Sequence, residues 1–383
     1  MLIAAISALF IRDLKLPMKR LQHTMTTLIA CGLLATTAAT AVQAQEPQRS
    51  VGLREITLGT IATTLLFPTP TPSQSLVRGP FEFDVALDAP ALDQKHRLVL
   101  ISHGTGGGAH TDHALAAALA RAGFVVAQPL HPGDNYLDTR DAGPVAFERR
   151  PHDIRQVIDA LAQDPYWAPR LDLGRVGVHG MSAGGVTALS LAGAQWRMLD
   201  LVRHCSSHSD TDAGFCFNGA KDGAARTARQ QGFASARGVP DDHLPDSLKT
   251  AHGGRTPTAA QPDPRPDPRV AAVSLMVPAA AIFSAESLAR IRIPVGVVSG
   301  ELDTVLLPRF HSDHVLAHVP TARLLAKLPA GHFDVLWPWP ESVARDVAAQ
   351  QVRGGLPTPG FDPALRDAAH AKIVAFHRQH LKP

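Results

Sequence analysis

Three cysteines among 383 residues are too few for a disulfide-dense scaffold. Charge of one sign is also missing. Lys and Arg number 37 against 34 Asp and Glu, an evenly spread net of +3 that leaves no electrostatic footprint for nucleic acid. No apolar run clearly fits a bilayer span. The best, from about Met25 to Val42, is threonine-rich and marginal in length. With 45% hydrophobic and 19% charged residues the chain is globular rather than disordered. Its length suits one large domain, or one domain with an insertion.

What is present begins with a leader. Residues 1–44 read as a signal peptide. Met18-Lys19-Arg20 makes a better start than Met1: a positive n-region, then the Met25–Val42 stretch, then Val42-Gln43-Ala44 before a cut at Gln45. A single membrane anchor is the alternative. Leu28-Ile29-Ala30-Cys31 also resembles a bacterial lipobox, but the apolar run before Cys31 is very short. The mature chain is therefore expected outside the cytoplasm, periplasmic or secreted, in an oxidising space.

Beyond the leader the pattern predicts strands over Val51–Leu58, Ile61–Phe67 and Phe81–Leu87, antiparallel elements at one edge of a sheet, with a stiff Pro68–Pro72 loop. The next runs are continuously apolar, as in strands buried on both faces: Arg97–Ser102, Phe124–Gln128, Val176–His179, Val270–Val277 and Val295–Ser299. Helical stretches alternate with them. Ile154, Val157, Ile158 and Leu161 fall on one stripe of an amphipathic helix, and helices near Pro340–Gln351 and Pro363–His380 close the fold, the latter with Leu365, Ala369, Ile373 and Phe376 on one stripe. A strand near Ala322–Leu328 completes the set. The alternation predicts an α/β fold with a mostly parallel central sheet flanked by helices. It is interrupted over 197–269, polar and rich in Gly, Asp, Arg and Pro, too long for a plain connection and read as a partly disordered cap or lid insertion. The core then spans 45–196 and 270–383. Cys205 and Cys216 lie in the insertion, and an oxidising space favours a disulfide between them. A metal site from Cys205, His204 and His208 lacks a well-spaced fourth ligand, so none is expected.

The chain is organised around Gly180-Met181-Ser182-Ala183-Gly184, a G-x-S-x-G turn between a strand and a helix. Such a turn presents a serine hydroxyl clear of its backbone, where a base can reach it. Ser182, Asp303 and His332 follow in the order nucleophile, acid, base, each just after a buried strand. His332 has a pKa range suited to taking the serine proton, and Asp303 would hold its tautomer. Glu301 and Asp200 compete for the acid role. An oxyanion hole is expected from the backbone N–H of Ala183 and from Thr105 or Gly106, in a loop whose glycines at 106–108 allow close approach. His103 and His179 are read as packing residues. Phe333, Trp337 and Trp339 either line an acyl pocket or pack in the core.

These residues carry a resemblance. SHGTGGG at 102–108, FVVAQPLHPG at 124–133, RPHDIRQVIDAL at 150–161, VGVHGMSAGG at 176–185, VVSGELD at 297–303 and AGHFD at 330–334 resemble the α/β-hydrolase superfamily. The similarity is to its bacterial dienelactone-hydrolase-like and platelet-activating-factor-acetylhydrolase-like branch, and runs from about Val51 to the C-terminus, the insertion excepted. Two departures matter. Dienelactone hydrolase uses a cysteine nucleophile where this chain has Ser182, and the acetylhydrolases carry their acid nearer the nucleophile than Asp303. Together with the triad, the resemblance implies a cofactor-free serine ester hydrolase for small esters with short to medium acyl chains. Amide cleavage, and a hydrolase-fold protein that binds without turnover, are the rivals.

Overall fold

The continuous apolar runs become the strands of one ten-stranded sheet. The computed structural model describes residues 49–78, 81–217, 223–243, 266–336, 340–342, 344–345 and 356–382. The leader with Cys31, Trp337, Trp339 and most of the helix expected near Pro340–Gln351 lie outside the described residues. The chain divides into two units, Met1–Glu46 and Pro47–Pro383, and the described residues all belong to the second.

The strands are β1 (Ser50–Leu58), β2 (Ile61–Thr69), β3 (Gln74–Arg78), β4 (Phe81–Leu87), β5 (His96–Ser102), β6 (Val125–Pro129), β7 (Leu171–Met181), β8 (Val270–Met276), β9 (Val295–Gly300) and β10 (Ala322–Leu328). Their order is β10-β9-β8-β7-β5-β6-β2-β1-β4-β3. From β10 to β6 every neighbour is parallel. β2 is antiparallel to β6 and to β1. The expected antiparallel edge holds for these, but β4 pairs in parallel with β1, and β3, short and exposed, forms a hairpin with β4 that the pattern does not reveal.

Helices cover both faces: α1 (His113–Arg121), α2 (Pro144–Gln163), α3 (Ala183–Leu191) and α9 (Pro363–His380). β5 shows how the pleat divides the core. Leu98 and Leu100 pack with Phe147, Ile154 and Val157 of α2 and Val186 of α3, whereas Val99 and Ile101 pack with Leu115 of α1 and Ile373 of α9. Truncating any one of these buried side chains to Ala costs about 2–5 kcal/mol. The stripe on α9 is rotated from the expected one. Leu365 is exposed, and the buried face runs through Arg366, Ala369, His370, Ile373 and Phe376. Asp362 caps this helix, its carboxylate accepting from the Ala364 N–H at 2.9 Å, and Pro363 opens it without losing a needed donor.

The described part of the 197–269 insertion is helical: α4 (Met198–His208), α5 (Ala213–Cys216) and α6 (Gly223–Ala236). It packs locally. Ser206 donates to the Phe233 carbonyl at 2.7 Å, Arg237 donates to the Ser206 carbonyl at 2.7 Å, and Arg203 donates to Val239 O. Cys205 and Cys216 are disulfide-bonded, as expected. Two short helices, α7 (Ala285–Leu288) and α8 (Ser312–His318), flank β9 in sequence.

Candidate active site

Ser182 sits between the last residue of β7 and the first of α3 with φ 54° and ψ −119°. This is a left-handed backbone that non-glycine residues rarely adopt and that stores strain. Close packing enforces it. A Cβ on Gly180 would lie 2.2 Å from the Gly184 carbonyl oxygen, and one on Gly184 would lie 1.8 Å from that of Ser102. No side chain fits at either place. Backbone bonds then fix the turn: Ser182 N–H donates to Met276 O at 3.2 Å, and Ser182 O accepts from Gly185 and Ala279 N–H, both at 2.8 Å.

The loop after β10 brings His332 to the turn. Its Nε2 lies 2.9 Å from Ser182 Oγ and its Nδ1 2.7 Å from Asp303 Oδ2. Asp303 follows β9, and its other oxygen is occupied by the N–H groups of Val305 and Leu306, each at 2.8 Å. Asp303 Oδ2 therefore accepts Nδ1–H of His332. That tautomer leaves Nε2 as the acceptor for the Ser182 hydroxyl. Asp303 and His332 are both buried, which shields the chain from water. Asp334 pins the same loop: its carboxylate accepts from Gly331 N–H at 2.7 Å and from Thr358 N–H at 2.8 Å.

The competitors are engaged elsewhere. Glu301 pairs with Lys327 at 3.0 Å and Asp200 with Arg197 at 2.7 Å. His103 is buried under its loop with Nδ1 2.7 Å from Gly104 O, and His179 is buried in β7 with Nδ1 2.8 Å from Ser274 Oγ. Cys205 is consumed by its disulfide. Among the described residues no group of three or more His, Cys, Asp or Glu is placed to hold a metal ion.

The Gly-rich loop needs one correction. Gly106 N–H donates to Asp134 Oδ1 at 3.1 Å, so it is not a donor for an oxyanion. Asp134 in turn pairs with Arg150, which also donates to the carbonyls of His103 at 2.5 Å and Gly104 at 3.2 Å. Gly104 O further accepts from Gly107 N–H at 3.1 Å. Thr105, next in the chain, lines the Ser182 cavity. Ala183 N–H opens α3, where the first N–H groups have no acceptor within the helix.

The sequence does not by itself mark Asp134 and Arg150 as partners, although Arg150 and Asp153 sit on the buried stripe of α2, two polar residues where apolar ones belong. Asp153 holds His131 at 2.9 Å, and His131 Nε2 meets Ser102 Oγ at 2.9 Å, so α2 braces the end of β5 as well.

The cavity over Ser182 has a volume of about 490 Å³. Its walls include Phe147, Met181, Ala279, Leu306 and Phe333, and His332 is its only titratable lining residue among those described. The insertion contributes Gly214 and Phe215, so α5 forms part of the wall. Asp212, just before α5, ties the insertion to the core. Its Oδ2 accepts from His204 at 2.8 Å and from His311 at 3.0 Å, while His311 Nδ1 accepts from Ala280 N–H at 3.0 Å. Burial alone would raise the Asp212 carboxyl, but the hydrogen bonds from His204 and His311 outweigh it and hold the pKa at about 2. Compared with protein-family models and with curated proteins, the chain matches none.

Proposed function

We propose that this chain is a serine ester hydrolase of α/β-hydrolase type. The observation that carries the reading is the continuous hydrogen-bonded chain from Ser182 through His332 to Asp303, opening into an apolar cavity. In the first step His332 Nε2 takes the Ser182 proton as Oγ attacks the ester carbonyl carbon. The carbonyl oxygen becomes an oxyanion, stabilised by the N–H groups of Ala183 and Thr105. Asp303 stabilises the imidazolium. As the C–O bond breaks, His332 returns the proton to the departing alcohol, leaving an acyl group on Ser182. Water then attacks with the roles repeated, and the acid leaves. No step requires a metal or an organic cofactor.

The cavity supports the substrate class. Its described lining offers no fixed charge to pair with an ionic acyl group, and its volume suits short to medium acyl chains. The resemblance of the six motif segments to the superfamily points the same way. The Cys205–Cys216 bond supports an exported, oxidised protein.

A fluorophosphonate probe tests the reading. The folded protein should be labelled at Ser182 and the Ser182→Ala variant should not. No labelling of the wild type rules out the catalytic reading. Nitrophenyl esters set against matching anilides separate esterase from amidase.

A further inference from the structure

The Gly-rich loop serves two cavities. Its Gly104–Gly107 segment lines the one over Ser182, while Ala109 and His110 line a second, larger one of about 760 Å³. That volume falls within the roughly 300–1,000 Å³ of small-molecule sites. The second cavity lies over β1, β2 and β6, away from the Ser182–His332–Asp303 chain.

Two features define what it would hold. One wall is aromatic: the Phe81 ring lies 6.2 Å from Phe83 and 4.8 Å from His110, which in turn lies 4.9 Å from Tyr136. Rings in such a run offer faces and edges to another ring. The second feature is Gln128. It sits in the middle of the sheet, opposite Thr64 across the β2–β6 pair, and both residues line the cavity. Gln128 is 3% exposed, and neither its amide nitrogen nor its amide oxygen has a hydrogen-bond partner. A buried amide left unpaired costs about 1–3 kcal/mol, and native proteins leave few of them. Arg150, Asp134 and Asp303 each bond through at least one side-chain atom, whereas both polar atoms of Gln128 lack a partner. Both amide atoms are shut off from solvent, so pairing with a ligand requires Gln128 to change side-chain rotamer and swing its amide edge into the cavity it lines, its broad terminal torsion then setting the plane of the pair.

Charge narrows the class. Glu55 and Arg78 both line the cavity and offset each other, and burial lowers His113 to a pKa of about 4, so its imidazole is neutral. The matching head group has an N–H beside a C=O. Its carbonyl accepts from Gln128 Nε2–H while its N–H donates to Gln128 Oε1.

We propose that this cavity binds a neutral aromatic molecule bearing a carboxamide or lactam group, paired two-fold with Gln128 and packed along Phe81, His110 and Tyr136. The proposal does not rest on the hydrolase reading, since Ser182 takes no part.

Two probes of one shape test it: naphthalene carboxamide, and the methyl ketone in which the amide NH₂ is replaced by CH₃. Titration calorimetry on the wild type should give a dissociation constant about tenfold or more lower for the carboxamide, the ketone losing one hydrogen bond and leaving Gln128 Oε1 unpaired. Gln128→Leu should remove that difference while still binding the ketone. Thr64→Phe, which fills the floor, should weaken both. Equal binding of the two probes by the wild type overturns the proposal and needs no variant. So does absence of binding, which means water alone occupies the cavity. Unchanged carboxamide affinity in a Gln128→Leu protein of normal unfolding temperature overturns it too, placing the probe elsewhere.

Discussion

Arg150 and Asp134 form a fully buried ion pair, 2.7 Å apart, each side chain wholly shielded from solvent. The pair sits behind the Gly-rich loop, and between them the two residues fix the carbonyls of His103 and Gly104 and the N–H of Gly106. Arg150→Met strands the Asp134 charge, and the expected loss of stability is about 3–5 kcal/mol. It also removes one of the three contacts that hold the Gly104 carbonyl and so loosens the Gly104–Thr105 peptide; kcat on nitrophenyl esters should fall by up to about a hundredfold, the size of losing one oxyanion donor, with KM little changed. Adding Asp134→Leu should restore most of the stability but not kcat. Restored turnover in the double variant would reduce the pair to a packing role.

Strain at Ser182 is separable from chemistry. Glycine tolerates φ 54° at no steric cost, so Ser182→Gly should be about 1 kcal/mol more stable than the parent while losing all ester hydrolysis. Urea unfolding of both proteins checks this. A variant less stable than the parent contradicts it.

The acid assignment has a direct test. Asp303→Asn disturbs the tautomer that leaves His332 Nε2 free to accept, and kcat should drop by about ten-thousandfold. Glu301→Gln and Asp200→Asn, which touch Lys327 and Arg197 instead, should change kcat by no more than about twofold, as surface substitutions do. Steady-state kinetics on the three variants decides among them.

Acid should weaken the fold early. Burial lowers His113 and His370 to about 4 and His377 to about 3, and lowers His103, His131, His179 and His311 below the ordinary 6.5. Below 6.5 the unfolded chain binds protons that the native one refuses. This contribution is therefore full above 6.5 and drains as pH falls toward the folded values. Asp112 and Asp153, raised to about 7 by burial, act in the opposite sense, helping most below 3.8 and fading as pH rises to 7. Seven histidines outweigh two carboxyls. Melting temperature should fall between about pH 7 and about pH 5, with protons taken up on unfolding. A flat or rising profile contradicts the balance.

Phe215 sets the room above Ser182 from a segment closed by the neighbouring Cys205–Cys216 bond. Phe215→Ala should shift preference toward longer acyl chains, read as kcat/KM across a nitrophenyl ester series. Reducing the disulfide, worth about 3 kcal/mol for so short a loop, should shift it the same way.

The parallel strands were legible because burial on both faces writes a continuous apolar run. The Ser182 turn was legible because only glycine fits at 180 and 184. Properties that depend on distant partners were not. Gly106 reads as a donor in the sequence, but its N–H is occupied by Asp134, 28 residues away. Arg150 is polar on an apolar stripe, an anomaly that the sequence displays without naming its partner. The insertion reads as polar because α6 turns a mostly exposed face outward, and its helices are visible only once Ser206, Arg203 and Arg237 find their carbonyls.

The hydrogen bond between His332 and Ser182 joins residues 150 positions apart. Synthesis runs from the N-terminus, so the elbow on β7 is made long before its base. A chain grown only through β8 holds the serine, the strained turn and the Gly-rich loop, but has neither Asp303 nor His332. The hydrogen-bonded set is therefore complete only once β9 and β10, the last strands in sequence, stand at the sheet edge. On the proposed reading, a nascent or C-terminally clipped molecule lacks the base and the acid that would activate Ser182, so it should not hydrolyse esters.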